Sequence, residues 1–164
     1  MSMIAGFGFV GGLVFVLILM FVISIALIAV VIYCTYKILD HFKFENKVLG
    51  AIIPIYQQYA LASVAAGKSE TIRLSLIKKD VESKYFKLGF LVSIVCPMIP
   101  VIGSLLGLAV TIIWWATLFT YLEARIKKIS IDEVDVAKQV LFGFLSFIGL
   151  IACLTWIKNK EKSN

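Results

Sequence analysis

Two adjacent amides, Gln57 and Gln58, stand just after Pro54 in a stretch that is otherwise mostly apolar, Val48 to Ser69 (VLGAIIPIYQQYALASVAAGKS). An amide carries donors and an acceptor that pure hydrocarbon leaves unsatisfied, so these side chains demand protein neighbours, water or a membrane interface. Two chemistries follow. One is an amide contact that ties two helices together; the other is a small polar pathway formed where several copies surround a pore. Pro54 adds to the demand, because it removes a backbone donor and disfavours helix at Ile53. From Gln58 onward Ala62 and Ala65 fall near one helical face, a small-residue strip that lets another helix approach closely. Ile55 and Tyr59 suit the opposite, interface-facing side.

The remaining reactive residue types form no catalytic or ligating pattern. His41 is the one histidine, which excludes a multi-histidine metal site within one chain and an H-E-x-x-H helix. Cys34, Cys96 and Cys153 are isolated, each in or beside an apolar segment, so they read as buried thiols rather than zinc ligands, a redox pair or a disulfide framework. Serine–lysine peptide hydrolysis needs a neutral lysine held beside a nucleophile, normally on a polar catalytic domain, whereas the lysines here cluster in connectors. The sequence therefore predicts no catalytic residue, no metal and no cofactor.

Hydrophobicity sets the elements that must position the glutamines. Of 164 residues, 61% are hydrophobic, with a mean hydropathy of +1.00, against about 45–50% apolar residues in a soluble domain. The expected fold is all-α: a single integral membrane helical bundle with a long N-terminal helix, a proline-broken segment, a helical hairpin and a C-terminal helix. Spans are expected over about 4–36, 85–96, 101–124 and 139–157, and the segment at about 48–66 either re-enters, lies in the interface or spans. The first run holds no ionisable side chain before Tyr33 and as one helix would reach about 50 Å, more than a hydrocarbon core of about 30 Å. It must tilt, begin late or project, and it reads as an uncleaved anchor because no basic residue precedes it. Gly8 and Gly12 form a small-xxx-small pair, as do Gly103 and Gly107; these are packing faces within the subunit or, at the amino terminus, a self-association face.

Between the central segment and the hairpin, Ile72, Leu76, Ile77 and Val81 give Gly67 to Lys87 an imperfect helical stripe. That predicts a membrane-surface helix with Lys78, Lys79, Lys84 and Lys87 at lipid headgroups, or a plain solvated loop. Pro97 and Pro100 interrupt the next apolar block and predict the hairpin turn. Trp114, Trp115, Phe119 and Tyr121 suit an interfacial belt. Ser130 and Glu133 stand in the S-x-x-E relation of a capping box, which predicts a helix that begins at Ile131 and continues to Ile157, before a tail with Lys158, Lys160 and Lys162.

The sixteen basic residues lie between and after the apolar segments rather than on one basic face, a pattern explained by membrane topology and anionic lipid and not by nucleic acid. If the central segment returns to its own side, every basic connector falls on the cytoplasmic side and the three tail lysines alone remain outside. A fully spanning central segment in the reverse orientation stands as the alternative.

Ala51-Ile52-Ile53-Pro54-Ile55-Tyr56, the Ala-Gly-Lys at 66 to 68 and Met98-Ile99-Pro100-Val101-Ile102 resemble an uncharacterised family of small bacterial multi-pass membrane proteins. Some of its members occur beside or fused to signal-peptidase-like domains. Where that family commonly has asparagine after the tyrosine, this chain has Gln57. The resemblance implies a multi-pass fold in the bacterial plasma (inner) membrane and brings no established activity. The expected function is non-enzymatic: a structural or accessory subunit of a larger envelope complex, with the lipid bilayer and other membrane subunits or further copies of the chain as partners. The alternative is a homo-oligomeric channel or transporter component with a polar pathway near Gln57 and Gln58.

Overall fold

The computed structural model describes residues 2–99 and 102–163. Pro100 lies outside them, and the surroundings of Gly8 are likewise not described. Among the described residues the chain forms helices α1 (Ser2–His41), α2 (Lys47–Ile52), α3 (Pro54–Ala66), α4 (Ser83–Val95), α5 (Gly103–Lys127), α6 (Val136–Phe144) and α7 (Ser146–Ser163). Single 3₁₀ turns occupy Cys96–Met98 and Ile131–Glu133. The architecture is all-helical apart from one small ribbon. Two helices, Gly12–His41 and Gly103–Lys127, are long and apolar enough to cross a membrane.

Local chemistry explains most helix boundaries. Ile53 is extended (φ −86°, ψ 112°), as the residue before a proline must be, and Pro54 opens α3 at a position where its missing N–H costs nothing. Pro54 therefore starts a helix instead of kinking one. After α4 the Cys96–Met98 turn contains Pro97, and a Cβ on Gly103 would lie 2.0 Å from the Cys96 carbonyl oxygen, so only glycine lets the chain close there.

Three expectations are corrected. The stretch from Gly67 to Glu82, before α4 begins at Ser83, holds no surface helix: Thr71–Arg73 (β1) and Asp80–Glu82 (β2) pair antiparallel, with Ile72 opposite Val81. The reason lies far away in sequence, on α5. Tyr121 Oη accepts from Arg73 N at 2.8 Å, Thr117 Oγ1 accepts from Ser75 N at 3.2 Å, and Ser75 Oγ donates to Thr120 Oγ1 at 3.0 Å. These hydroxyls partner a ribbon that could not stand alone. Ile72 is fully buried beneath it.

The second correction concerns the carboxy-terminal helix. Ser130 caps only the short 3₁₀ turn, through Asp132 N at 3.4 Å. The cap of α6 is Asp135, whose Oδ1 accepts from Ala137 N at 3.0 Å and Lys138 N at 3.3 Å. The helix then breaks at Leu145 (φ −115°, ψ 64°), and α7 turns back along α6, with Phe142 against Trp156 at 6.1 Å between ring centroids. Third, the aromatic residues of α5 are no outward belt. Trp114, Phe119 and Tyr121 are buried, and Trp114 Nε1 donates to the Phe86 carbonyl at 2.9 Å.

Cross-contacts fix helix directions. Gln57 meets Thr35 and Arg125 meets both Phe42 and Val64, so α3 runs parallel to α1. Phe86 faces Trp114 while the Cys96 turn packs on Gly103, so α4 opposes α5. Gln139 meets Glu123 while Gly143 meets Ile112 and Ala116, so α6 opposes α5. Gly149 sits on the Phe119 ring and Lys160 Nζ reaches the Ile126 carbonyl, so α7 runs with α5. The pairs α2–α3, α4–α5 and α6–α7 are thus three hairpins that open toward one end. That end collects the connector after α1, Gly67, Arg125 to Ser130 and the chain's tail. Because α7 returns toward that end, the tail lysine Lys160 reaches the Ile126 carbonyl there.

Candidate functional site

The glutamine pair is divided by the helix it stands on. Gln57 Nε2 donates to Thr35 Oγ1 at 2.6 Å, linking α3 to α1 where Thr35 is fully buried. Gln58 is half-buried on the adjacent face. Ala62 and Ala65 are fully buried on α3, whereas Ile55 is 60% exposed. Pro54 is exposed at the hairpin apex.

The expected small-residue faces have different surroundings. A Cβ on Gly12 would meet nothing within 4 Å. Gly103 packs against its own turn, and Gly107 is buried. The close helix approaches occur elsewhere: a Cβ on Gly143 would lie 2.9 Å from the Ile112 carbonyl oxygen, one on Gly149 2.4 Å from the Phe119 ring, and one on Gly89 2.9 Å from Trp114. Gly143 and Gly149 have no glycine, alanine, serine or threonine four positions away and so carry no small-xxx-small signal, whereas Gly89 and Ser93 do have that spacing. Of the lysines expected at headgroups, Lys78, Lys79 and Lys84 are exposed and Lys87 is half-buried. Lys84 pairs with Glu82 at 2.7 Å, and that hydrogen bond holds the ammonium above its ordinary pKa. Asp40 does the same for Lys47.

The most concentrated polar assembly was not anticipated. Glu123, whose side chain is 6% exposed, accepts from Gln139 Nε2 and Lys127 Nζ, with Lys138 Nζ at 3.6 Å. Both lysines also stand 5.0 Å from the Trp156 ring, an arrangement that keeps each ammonium between a carboxylate and a π-face. Gln139 is fully buried, and its Oε1 has no hydrogen-bond partner among the described residues. Three helices, α5, α6 and α7, are bound together here. One sequence signal existed: Lys127 lies one helical turn from Glu123, an ordinary i, i+4 pair. Gln139 is sixteen residues away from Glu123 and depends on the chain reversing after α5.

Chemically, this cluster is an ion pair with hydrogen-bonded support, a device for docking helices. Among the described residues no group of three or more His, Cys, Asp or Glu side chains could hold a metal ion. Cys34 and Cys153 are buried and Cys96 is half-buried, all three free thiols. No protein family, curated protein or solved structure matches this chain.

The largest unusual surface is apolar. From Leu13 to Val30 every side chain of α1 is exposed, including Phe15, Met20 and Phe21 at more than 60%. The outer faces of α4, the start of α5 and the α6–α7 turn add Leu91, Val95, Leu105, Phe144 and Leu145. A soluble monomer rarely shows so large a continuous apolar patch.

Proposed function

We propose that the chain is a non-enzymatic integral membrane protein, a structural or accessory subunit that presents its first helix to other membrane subunits. The observation that carries this reading is the Leu13–Val30 stretch, apolar but for Ser24 and exposed along its whole length. Its exposed length, about 27 Å, approaches the hydrocarbon thickness of about 30 Å. Lipid or another apolar helix is the surface it requires.

In this reading α1 crosses the bilayer, and α4–α5 forms the second deep insertion, α5 being about 37 Å long. With six and nine residues, α2 and α6 reach only about 9 and 14 Å, too short to cross. Their hairpins enter and return. Connectors and tail then share one side, and the positive-inside rule makes it the cytoplasm. The resemblance at 51–56, 66–68 and 98–102 supports a bacterial plasma membrane. Gln57 is engaged by Thr35 within the chain, which favours the contact role over a pathway.

The test is purification in mild detergent, with mass from light scattering and mass spectrometry of companions, for the natural chain and for one with Leu13–Val30 replaced by leucines. The expected outcome is a companion of fixed stoichiometry that disappears with the replacement although membrane insertion persists. A natural chain that is monomeric and alone, both in detergent and in native lipid discs, would overturn the proposal.

A further inference from the structure

We infer that the cleft between the α1–α2 connector, α3 and the end of α5 is a binding site for a phosphate group, carried by a lipid headgroup or by a soluble phosphate. The lipid source rests on the membrane reading above; the site itself does not. The cleft encloses about 550 Å³. Lys43, Lys87 and Arg125 line it against one acid, Glu45, and none of the three cations has a carboxylate partner among the described residues.

Arg125 is held rather than free-swinging. Its guanidinium lies 4.9 Å over the Phe42 ring and Nη1 donates to the Val64 carbonyl, which leaves its other N–H groups unassigned. Gly67 makes the room: its backbone is left-handed (φ +59°), and a Cβ there would lie 2.9 Å from Nη1. A planar, fixed guanidinium with spare donors is the group that phosphate oxygens select. Ser63 also lines the cleft, and its Oγ has no hydrogen-bond partner among the described residues. Tyr56 and Tyr59, stacked at 6.0 Å between centroids, form a further wall. The cleft opens at the end of the bundle where the α1–α2 connector meets the end of α5, the level at which headgroups lie if α1 crosses the bilayer.

The experiment compares the full chain with K43Q/K87Q and G67A, and with K78Q/K79Q, which removes the same charge from the ribbon. Native mass spectrometry reads retained phosphatidic acid or phosphatidylglycerol after reconstitution in phosphatidylcholine, and thermal unfolding in detergent reads inorganic phosphate. Each lost charge-assisted contact should weaken binding by about tenfold, so K43Q/K87Q and G67A lose the ligand while K78Q/K79Q keeps it. Lipid adducts assign the site to a headgroup; stabilisation by phosphate without adducts assigns it to a soluble ligand. Equal loss in both lysine pairs, or no phosphate-dependent signal in the natural chain, overturns the site. Failure of the membrane reading would show separately, as a chain that stays monodisperse without detergent.

Discussion

The two halves of α1 are one helix with opposite fates. Leu13 to Val30 carries a single polar side chain, Ser24, which donates to its own helix at the Met20 carbonyl, and all of it is exposed. From Val31 to His41 the chain adds Thr35, Lys37 and Asp40, yet Cys34, Thr35, Ile38 and Leu39 are the buried residues. In water the purely apolar half would be the one to hide. The inversion is what the proposed membrane setting would produce, because lipid tails solvate leucine as well as a protein core does, and contact between helices then comes from fit and from polar groups. Thr35, fully buried and bonded to Gln57, is the polar group of that kind on α1. Glu123 and Gln139 repeat the lesson at the junction of α5, α6 and α7.

That contrast can be broken most forcefully at Glu123. Replacing it with alanine leaves Lys127 and Lys138 together without their carboxylate, and thermal unfolding in detergent should show a loss of about 3–5 kcal/mol. A loss below about 1 kcal/mol would mean that the cluster is solvated rather than sealed.

Next in size is the comparison within α1 itself. Ile38→Ala should cost about 2–5 kcal/mol, because it opens a cavity at a fully buried position. Ile18→Ala, at a side chain that is 58% exposed, should stay within about 0.5 kcal/mol in detergent. Equal costs would show that the first half is packed against something the chain alone does not contain.

Smaller still is the Thr35–Gln57 bond. A cycle through Thr35→Val and Gln57→Leu should give a coupling of about 0.6–1.7 kcal/mol, with insertion unchanged. No coupling would return Gln57 to the pathway reading. At the low end, Asp135→Ala removes the cap of α6 and should cost about 1 kcal/mol, whereas Ser130→Ala, on the short turn, should cost less.

How much the sequence told depended on distance along the chain. Pro54, Pro97 and the apolar runs act through their immediate neighbours, so the break at Ile53, the turn after α4 and the long helices could be read directly. The ribbon could not, because its partners are hydroxyls of Thr117, Thr120 and Tyr121, more than forty residues on. Leu145 was invisible for another reason: Phe144-Leu145-Ser146 carries neither glycine nor proline, and the reversal there is imposed by packing of Phe142 and Gly143 on α5. The aromatic positions misled because size and amphipathicity suit a membrane interface as well as a core. At the cleft, Lys43 reads from sequence as an ordinary connector charge and Lys87 as one of four headgroup lysines, and neither spacing shows that Gly67 brings Arg125 between α1 and α3 beside them.

The hairpin arrangement also bears on how the chain is made. Each pair joins neighbours in sequence, so its second helix leaves the ribosome directly after the first, although α1 and α3 complete their packing only when Arg125 of α5 arrives. α1 precedes the three pairs, which can close one after another. Local closure keeps the loop entropy small, and the ribbon, whose anchor α5 emerges later, is the element that must wait.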